Sequence, residues 1–129
     1  MIDENEFFRQ LTMRICSSLD IETAIRRSLD YFIRVLPVDR IFLHIYDKRF
    51  GAVQTIAEVT PTGGKTLDKV TPLDREGRTS LEQPGVPNVR IVNRPETDPV
   101  VKKLAASLNV PQSSSLLMRL VIEGERLGT

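Results

Sequence analysis

The residues with the clearest chemical potential lie on one predicted strand, Asp39–Asp47. Side chains on a strand alternate between its two faces. The face formed by the odd-numbered residues inside this strand is aliphatic. The other face carries three ring side chains, two of them with polar tips: Phe42, His44 and Tyr46. Because rings with a few polar groups are typical of the walls of ligand sites, the sequence predicts ligand contacts on this strand.

His44 is the only histidine in the chain, so a metal site built on several histidines is impossible. A catalytic role would require a serine or a carboxylate beside it. Gln54 and Glu58 lie on the next predicted strand, within reach of His44 in a hairpin, which leaves a proton relay open. Two further interpretations remain: His44 is a hydrogen-bonded structural residue, or it contacts a ligand.

Arg119 interrupts the apolar run Leu116–Ile122. A charge inside such a strand must meet water, a carboxylate or a ligand. If the ligand is an anion, Arg75, Arg78 and Arg90 are further counter-charges. The predicted ligand-binding set is Phe42, His44, Tyr46, Gln54, Glu58 and Arg119.

Other reactive groups are few. Cys16 is the single cysteine, so it forms no internal disulfide and no zinc site alone, and we expect a buried thiol. The segment Gly63–Thr66 resembles the end of a phosphate-binding loop, but that motif needs glycine where this chain has Val59. With no nucleophile, metal cluster or acid–base pair evident, we predict that the chain is not an enzyme.

Composition limits the remaining classes of function. The 129 residues include 18 basic and 17 acidic ones, a net charge of +1, which gives no reason to expect binding to nucleic acid or to an anionic membrane. No apolar run approaches the roughly 20 residues of a membrane span, and the acidic N-terminus is unlike a secretory signal. We expect one cytoplasmic domain covering residues 1–129.

Periodicity predicts a mixed α/β (α+β) order of elements. We expect two amphipathic helices, a hairpin, a long loop covering the ligand, a short strand, a helix capped by Asp98, and a final hairpin. A short helical turn inside the long loop is left open. In sequence these are Glu6–Leu19, Asp20–Leu36, Arg40–Asp47, Ala52–Thr60, Pro61–Gly85, Val89–Val92, a helix after Pro99, Ser114–Ile122 and Glu125–Thr129. The apolar faces of the first two helices predict a homodimer formed through them.

Four segments together resemble the GAF fold, a small sensor domain. They are Ser17–Ile25, Pro37–Asp47, Asn88–Pro99 and Ser115–Gly128. The resemblance implies an antiparallel central sheet of about five to six strands, with the N-terminal helices on one face and loop and helix elements on the other. A complete member would finish the last strand and add a C-terminal helix, so we expect this chain to be truncated.

The opening segments Glu4–Gln10 and Arg14–Leu19 resemble the N-terminal GAF domain of bacterial sigma-54-dependent transcriptional regulators. The resemblance implies signal input by an unknown small molecule, with downstream AAA+ and helix-turn-helix DNA-binding domains that this sequence does not contain. It does not identify the ligand or cofactor, and the signature of cyclic-nucleotide-binding relatives is missing. A dimerisation and signal-relay module without a ligand is the alternative.

Overall fold

The computed structural model describes residues 3–16, 21–111, 113–122 and 125–129, with side chains for 3–11, 23–111, 113–121, 128 and 129. Two helices are followed by three strands, then by a helix, a short strand, a 3-10 helix, a fourth helix and three further strands. The elements are α1 (Glu4–Cys16), α2 (Ile21–Val35), β1 (Ile41–Asp47), β2 (Ala52–Thr60), β3 (Gly63–Pro72), α3 (Arg75–Glu82), β4 (Val89–Val92), the 3-10 helix (Pro95–Thr97), α4 (Val101–Leu108), β5 (Ser115–Met118), β6 (Leu120–Ile122) and β7 (Glu125–Gly128).

The described strands form three sheets. The largest is antiparallel with the order β1-β2-β3, and β4 pairs with β5 and β6 with β7. The mixed α+β prediction is confirmed. The described strands therefore do not form the single sheet of about five to six strands that the GAF resemblance implies.

The chain divides into two compact units. The first comprises Met1–His44 and Thr55–Asp68, and the second comprises Ile45–Gln54 and Lys69–Thr129. Strands β1, β2 and β3 each contribute residues to both units. That residues 1–129 act as one domain stays a prediction.

Helices α1 and α2 build the core of the first unit. The Phe7 ring meets the Phe32 ring edge-on at 5.1 Å and lies 6.0 Å from the Tyr31 ring. Apolar residues spaced three and four apart on both helices are buried: Phe7, Leu11, Ala24, Ile25, Leu29 and Phe32. The amphipathic prediction is therefore confirmed for these six residues, whereas Ile33 of α2, which belongs to the same predicted stripe, is exposed.

Capping and proline fix two ends of these helices. The Asp3 carboxylate accepts from the backbone amides of Asn5 at 3.0 Å and Glu6 at 3.3 Å, which satisfies amides that have no partner inside the helix. Helix α2 ends at Val35, two residues before Pro37, as the proline predicts.

The core of the second unit is formed by residues of β2, of α4 and of the segments that lead into α3 and α4. Buried Val53, Leu73, Val100 and Leu104 form one cluster. Partly buried apolar and aromatic residues from β1, α3 and α4 pack against it: Tyr46, Leu81 and Leu108.

The prediction of a long loop is wrong for the segment Pro61–Gly85. It forms β3 and α3, which leaves no loop of that length to cover a ligand. Exposed side chains fill most of β3, so no apolar alternation revealed it. Helix α3 starts at a cap, since the Asp74 carboxylate accepts from the Gly77 amide at 2.9 Å. Glycine suits position 77 of this helix because a side chain there would be crowded: a Cβ would lie only 3.3 Å from atoms of Leu73 and Asp74.

The predicted strand Ser114–Ile122 is divided at Arg119. On its N-terminal side Met118 pairs with Val89 of β4, and on its C-terminal side Leu120 pairs with Gly128 of β7. The Arg119 amide instead donates to the Asn88 carbonyl at 2.8 Å. The strand breaks because the chain changes partners there. The predicted final hairpin is confirmed by the antiparallel β6–β7 pairing.

Asp98 caps α4 as predicted. Its carboxylate accepts from the amides of Val100 at 3.0 Å and Val101 at 2.9 Å. Its backbone carbonyl accepts from the Lys102 amide at 3.0 Å, the first helical bond. The 3-10 helix Pro95–Thr97 immediately before it was not predicted.

Three parts of the predicted structure fall outside the described residues: Asp20, whose side chain is expected to cap the second predicted helix; Glu123–Gly124, the expected turn of the final hairpin; and the Cys16 thiol, which is expected to be buried. Within the described helices, none has both the length and the apolar character needed to cross a bilayer.

Candidate functional site

Strand β2 has one buried face, and this face positions the candidate site. Val53, Thr55, Ala57 and Val59 are each at most 2% exposed, whereas Gln54 is exposed. Because neighbouring residues on a strand point to opposite faces, the even-numbered residues of β2 lie on the other side of the sheet. A group that contacts the Thr55 side chain therefore lies on the opposite face of the sheet from Gln54 and Glu58.

His44 lies on the Thr55 face. Its Nδ1 atom is 2.9 Å from the Thr55 hydroxyl oxygen, a side-chain hydrogen bond between β1 and β2. The Phe42 and His44 rings stack with their centroids 5.8 Å apart and their planes inclined by 25°. The imidazole is thus fixed by a hydroxyl at one nitrogen and by an aromatic ring at its face.

Burial lowers the pKa of His44 to about 4. A buried imidazole without a carboxylate to compensate its charge is more stable in the neutral form. At neutral pH the ring therefore has one protonated nitrogen and one acceptor nitrogen.

The second ring nitrogen, Nε2, has no hydrogen-bond partner among the residues that the structure describes. If the Thr55 hydroxyl donates to Nδ1, Nε2 carries the proton and donates. If Nδ1 donates to Thr55, Nε2 accepts. Either tautomer of His44 offers one directional hydrogen bond to a small molecule.

Glu58 belongs to a different group. Its largely buried carboxylate lies 3.3 Å from the Lys65 Nζ atom and 3.7 Å from the Arg40 Nε atom. The alternation of β2 places Glu58 on the face opposite Thr55. The structure therefore does not pair Glu58 with His44 as the acid and base of the predicted proton relay, and a part for Gln54 in that relay stays a prediction.

Tyr46 lies in the second unit, where its ring packs against the apolar cluster. Its hydroxyl donates to the Glu82 carboxylate at 3.3 Å. Gln54 also belongs to that unit and is exposed. These contacts give Tyr46 a place in a packed core, and its predicted role as a ligand contact stays a prediction.

The predicted anion-binding arginines have other partners. Arg90 forms an ion pair with the buried Asp98 carboxylate at 2.8 Å. Arg78 donates from Nε to the Leu73 carbonyl at 3.2 Å. The Arg119 guanidinium reaches the Val86 carbonyl at 3.5 Å. Arg75 is exposed at the start of α3, so no cluster of arginines around one anion is evident among the described residues.

Thr55 is the site residue that sequence reasoning missed. It does not belong to the predicted ligand-binding set, although its hydroxyl is the partner of His44. A fully buried hydroxyl needs a hydrogen bond. Thr55 is the only threonine among the alternating apolar residues of β2. Its need for a hydrogen-bond partner is the sequence signal that could have revealed the contact with His44.

No group of three or more potential metal ligands is found in the described part of the chain. Comparison of the chain with protein-family models, with curated proteins and with solved structures found no match.

Proposed function

We propose that this chain is a regulatory, non-catalytic domain of the GAF type that senses a small molecule. The observation that carries this proposal is the His44 ring, held by Thr55 at Nδ1 and stacked on Phe42, with no described protein partner at Nε2. A neutral, oriented imidazole beside an aromatic ring suits a planar molecule with one hydrogen-bonding group.

The order of elements supports the GAF arrangement. Two helices precede a hairpin, and a short strand leads through Asp98 into a helix and a final hairpin. The segment Pro61–Gly85 forms β3 and α3, so the proposal includes no long loop over the ligand.

The resemblance of the N-terminal segments supports a place in a cytoplasmic, bacterial sigma-54-dependent regulator. In such a protein the domain receives the signal, and AAA+ and helix-turn-helix domains outside this sequence perform ATP hydrolysis and DNA binding. Binding at His44 would stabilise the conformation of the first unit that fits the ligand, and α1 and α2 belong to that unit. A shift in their packing is the proposed output.

The direct test is a thermal-shift screen of heteroaromatic metabolites, with isothermal titration calorimetry on every compound that raises the melting temperature. We expect binding to weaken at least tenfold in His44→Phe, which keeps a ring and removes Nε2. Glu58→Gln is the matched control, because Glu58 lies on the opposite face of β2. Failure of all compounds, or equal weakening in both variants, would contradict the proposal.

A relay module that dimerises without a ligand is the second candidate. It is favoured by Ile33 and Val35, which are exposed although Ala24, Ile25, Leu29 and Phe32 of the same helix are buried. Sedimentation equilibrium of the wild type and of Ile33→Ser/Val35→Ser tests it. A dimer that the double substitution dissociates supports this candidate, and a monomer at high concentration excludes it.

A further inference from the structure

The turn between β1 and β2 presents an aromatic ring to solvent. Phe50 is 75% exposed, the highest value among the large apolar side chains in the described part of the chain. Single exposed apolar residues are common on protein surfaces. What distinguishes Phe50 is the set of contacts that hold its turn in place and surround it with charge.

Two contacts fix the base of this turn. The Gly51 carbonyl accepts from the Leu73 amide at 3.0 Å, and Leu73 is buried in the core of the second unit. Gly51 has φ +59°, and the Arg78 side chain fills the space of a Cβ, its Cδ lying 2.5 Å from that position. The backbone that carries Phe50 is therefore anchored to the core and covered by α3.

The charged side chains beside Phe50 have partners as well. The Asp47 carboxylate accepts from the Arg49 amide at 3.0 Å and from its guanidinium at 3.1 and 3.3 Å. The Arg49 guanidinium carbon in turn lies 5.4 Å from the centre of the Phe50 ring. Lys48 is paired with Glu82 at 3.4 Å. The backbone of this turn is held at its base by the bond to Leu73, so it loses little entropy when the turn binds a partner.

At this turn the positively charged side chains are more exposed than their negatively charged partners. The cations face solvent, since the side chains of Lys48 and Arg49 are 80% and 81% exposed, whereas those of Glu82 and Asp47 are 35% and 33% exposed. A partner therefore meets one ring and two cations. Two cations that already have carboxylate partners are few for binding an anionic membrane, which typically takes four or more.

We propose that the Lys48–Gly51 turn is a docking surface for another protein, which receives Phe50 in an apolar pocket edged by carboxylates. Aromatic and arginine side chains are enriched in interfaces and often act as their anchors. A convex turn with one projecting ring fits a concave pocket, and the outward cations fit acidic residues at its edge. Two such convex turns facing each other would bury little area, which argues against a second copy.

Selection from a displayed peptide library tests this surface. Peptides are selected on the wild-type protein and then measured by fluorescence anisotropy against single variants. We expect selected peptides to combine large apolar residues with Asp or Glu, and to bind Phe50→Ala at least tenfold more weakly. Arg49→Gln is expected to weaken binding by a smaller factor and to reduce its dependence on salt. Ile91→Ala is the control, because Ile91 is 63% exposed in the same unit.

Two further measurements decide between partners. Flotation with phosphatidylserine–phosphatidylcholine vesicles and sedimentation equilibrium are run on the wild type and on Phe50→Ala, after equal melting temperatures have been verified. Vesicle binding or dimerisation that depends on Phe50 would overturn the proposal. It would also fail if no selected peptide distinguishes Phe50→Ala from Ile91→Ala.

Discussion

The Nδ1 atom of His44 lies 2.9 Å from the hydroxyl oxygen of Thr55, and this hydrogen bond joins β1 to β2 inside the first unit. Both groups give up contact with water when the chain folds, Thr55 completely. Each therefore depends on the other for a hydrogen bond.

Thr55→Val should destabilise the protein by about 1–3 kcal/mol, since it keeps the shape of the side chain but leaves the His44 Nδ1 atom without its partner. Urea denaturation at pH 7 measures the change. Thr55→Ser keeps the hydroxyl and removes one methyl group, which should cost about 1 kcal/mol. A larger loss in Thr55→Ser than in Thr55→Val would show that packing matters more than the hydrogen bond.

The low pKa of His44 makes the stability depend on pH. The folded protein holds the pKa near 4, against 6.5 for the unfolded chain, so between these values the unfolded chain binds more protons. Stability should therefore rise with pH across this window, by up to about 3 kcal/mol in total. Denaturation midpoints from pH 4 to pH 7.5 measure it.

His44→Gln is the control for this dependence, because glutamine does not titrate. The variant should lose the part of the pH dependence between 4 and 6.5 that belongs to His44. Carboxylates contribute below about pH 5 in both proteins, so the difference between the two curves isolates the histidine. Parallel curves would show that His44 titrates normally in the folded protein.

Asp98 links α4 to β4 through its cap and its ion pair with Arg90. Burial opposes its ionisation, but the hydrogen bonds from the Val101 amide, the Arg90 guanidinium and the Val100 amide outweigh it and lower the pKa of Asp98. Asp98→Ala should cost about 1–3 kcal/mol at pH 7, as a buried cap and a partner of Arg90 are both lost. Because the pKa is lowered, this contribution should disappear as the pH falls through the folded-state value.

Asp74→Ala is the matched comparison for Asp98, because Asp74 caps α3 at an exposed position. It should cost no more than about 1 kcal/mol. Equal losses in the two variants, measured by urea denaturation, would mean that burial and Arg90 add nothing to the Asp98 cap.

Gly51→Ala should destabilise the protein by more than about 1 kcal/mol, because alanine is strained at positive φ and its Cβ would clash with Arg78. Gly85→Ala is the control, with φ +77° and no atom within 4 Å of the added Cβ. Thermal unfolding should show a larger loss for Gly51→Ala. Adding Arg78→Ala should recover the difference between the two glycine variants, and no recovery would place the whole effect in the backbone.

The sequence predicted the elements with strong local signals. The apolar period of α2, the proline after it and the Asp98 cap each specify a local backbone conformation. β3 was missed because it is mostly exposed and lacks apolar alternation. For α3 the sequence left open only a short helical turn, because glycines and prolines in this segment favour a loop. One of these glycines, Gly77, lies in α3 with Leu73 and Asp74 only 3.3 Å from the position of a Cβ, a contact that only the folded chain reveals.

The candidate site was predicted in part. Alternation along β1 correctly grouped Phe42 with His44. It could not show which face of β2 lies beside them, because that depends on the pairing register. The register places the Thr55 hydroxyl next to His44 and directs Glu58 to the other face. The break at Arg119 was missed for a similar reason, since a change of strand partner leaves no local pattern.

The hydrogen bond from the Leu73 amide to the Gly51 carbonyl also bears on how the protein folds. It closes a loop that contains the whole of β2 and β3, so it forms only after both strands have folded back. Closing a loop of this length costs chain entropy before any contact repays it. Contacts at the base of the Phe50 turn should therefore be absent from the folding transition state. Substitutions there should accelerate unfolding and leave the refolding rate nearly unchanged.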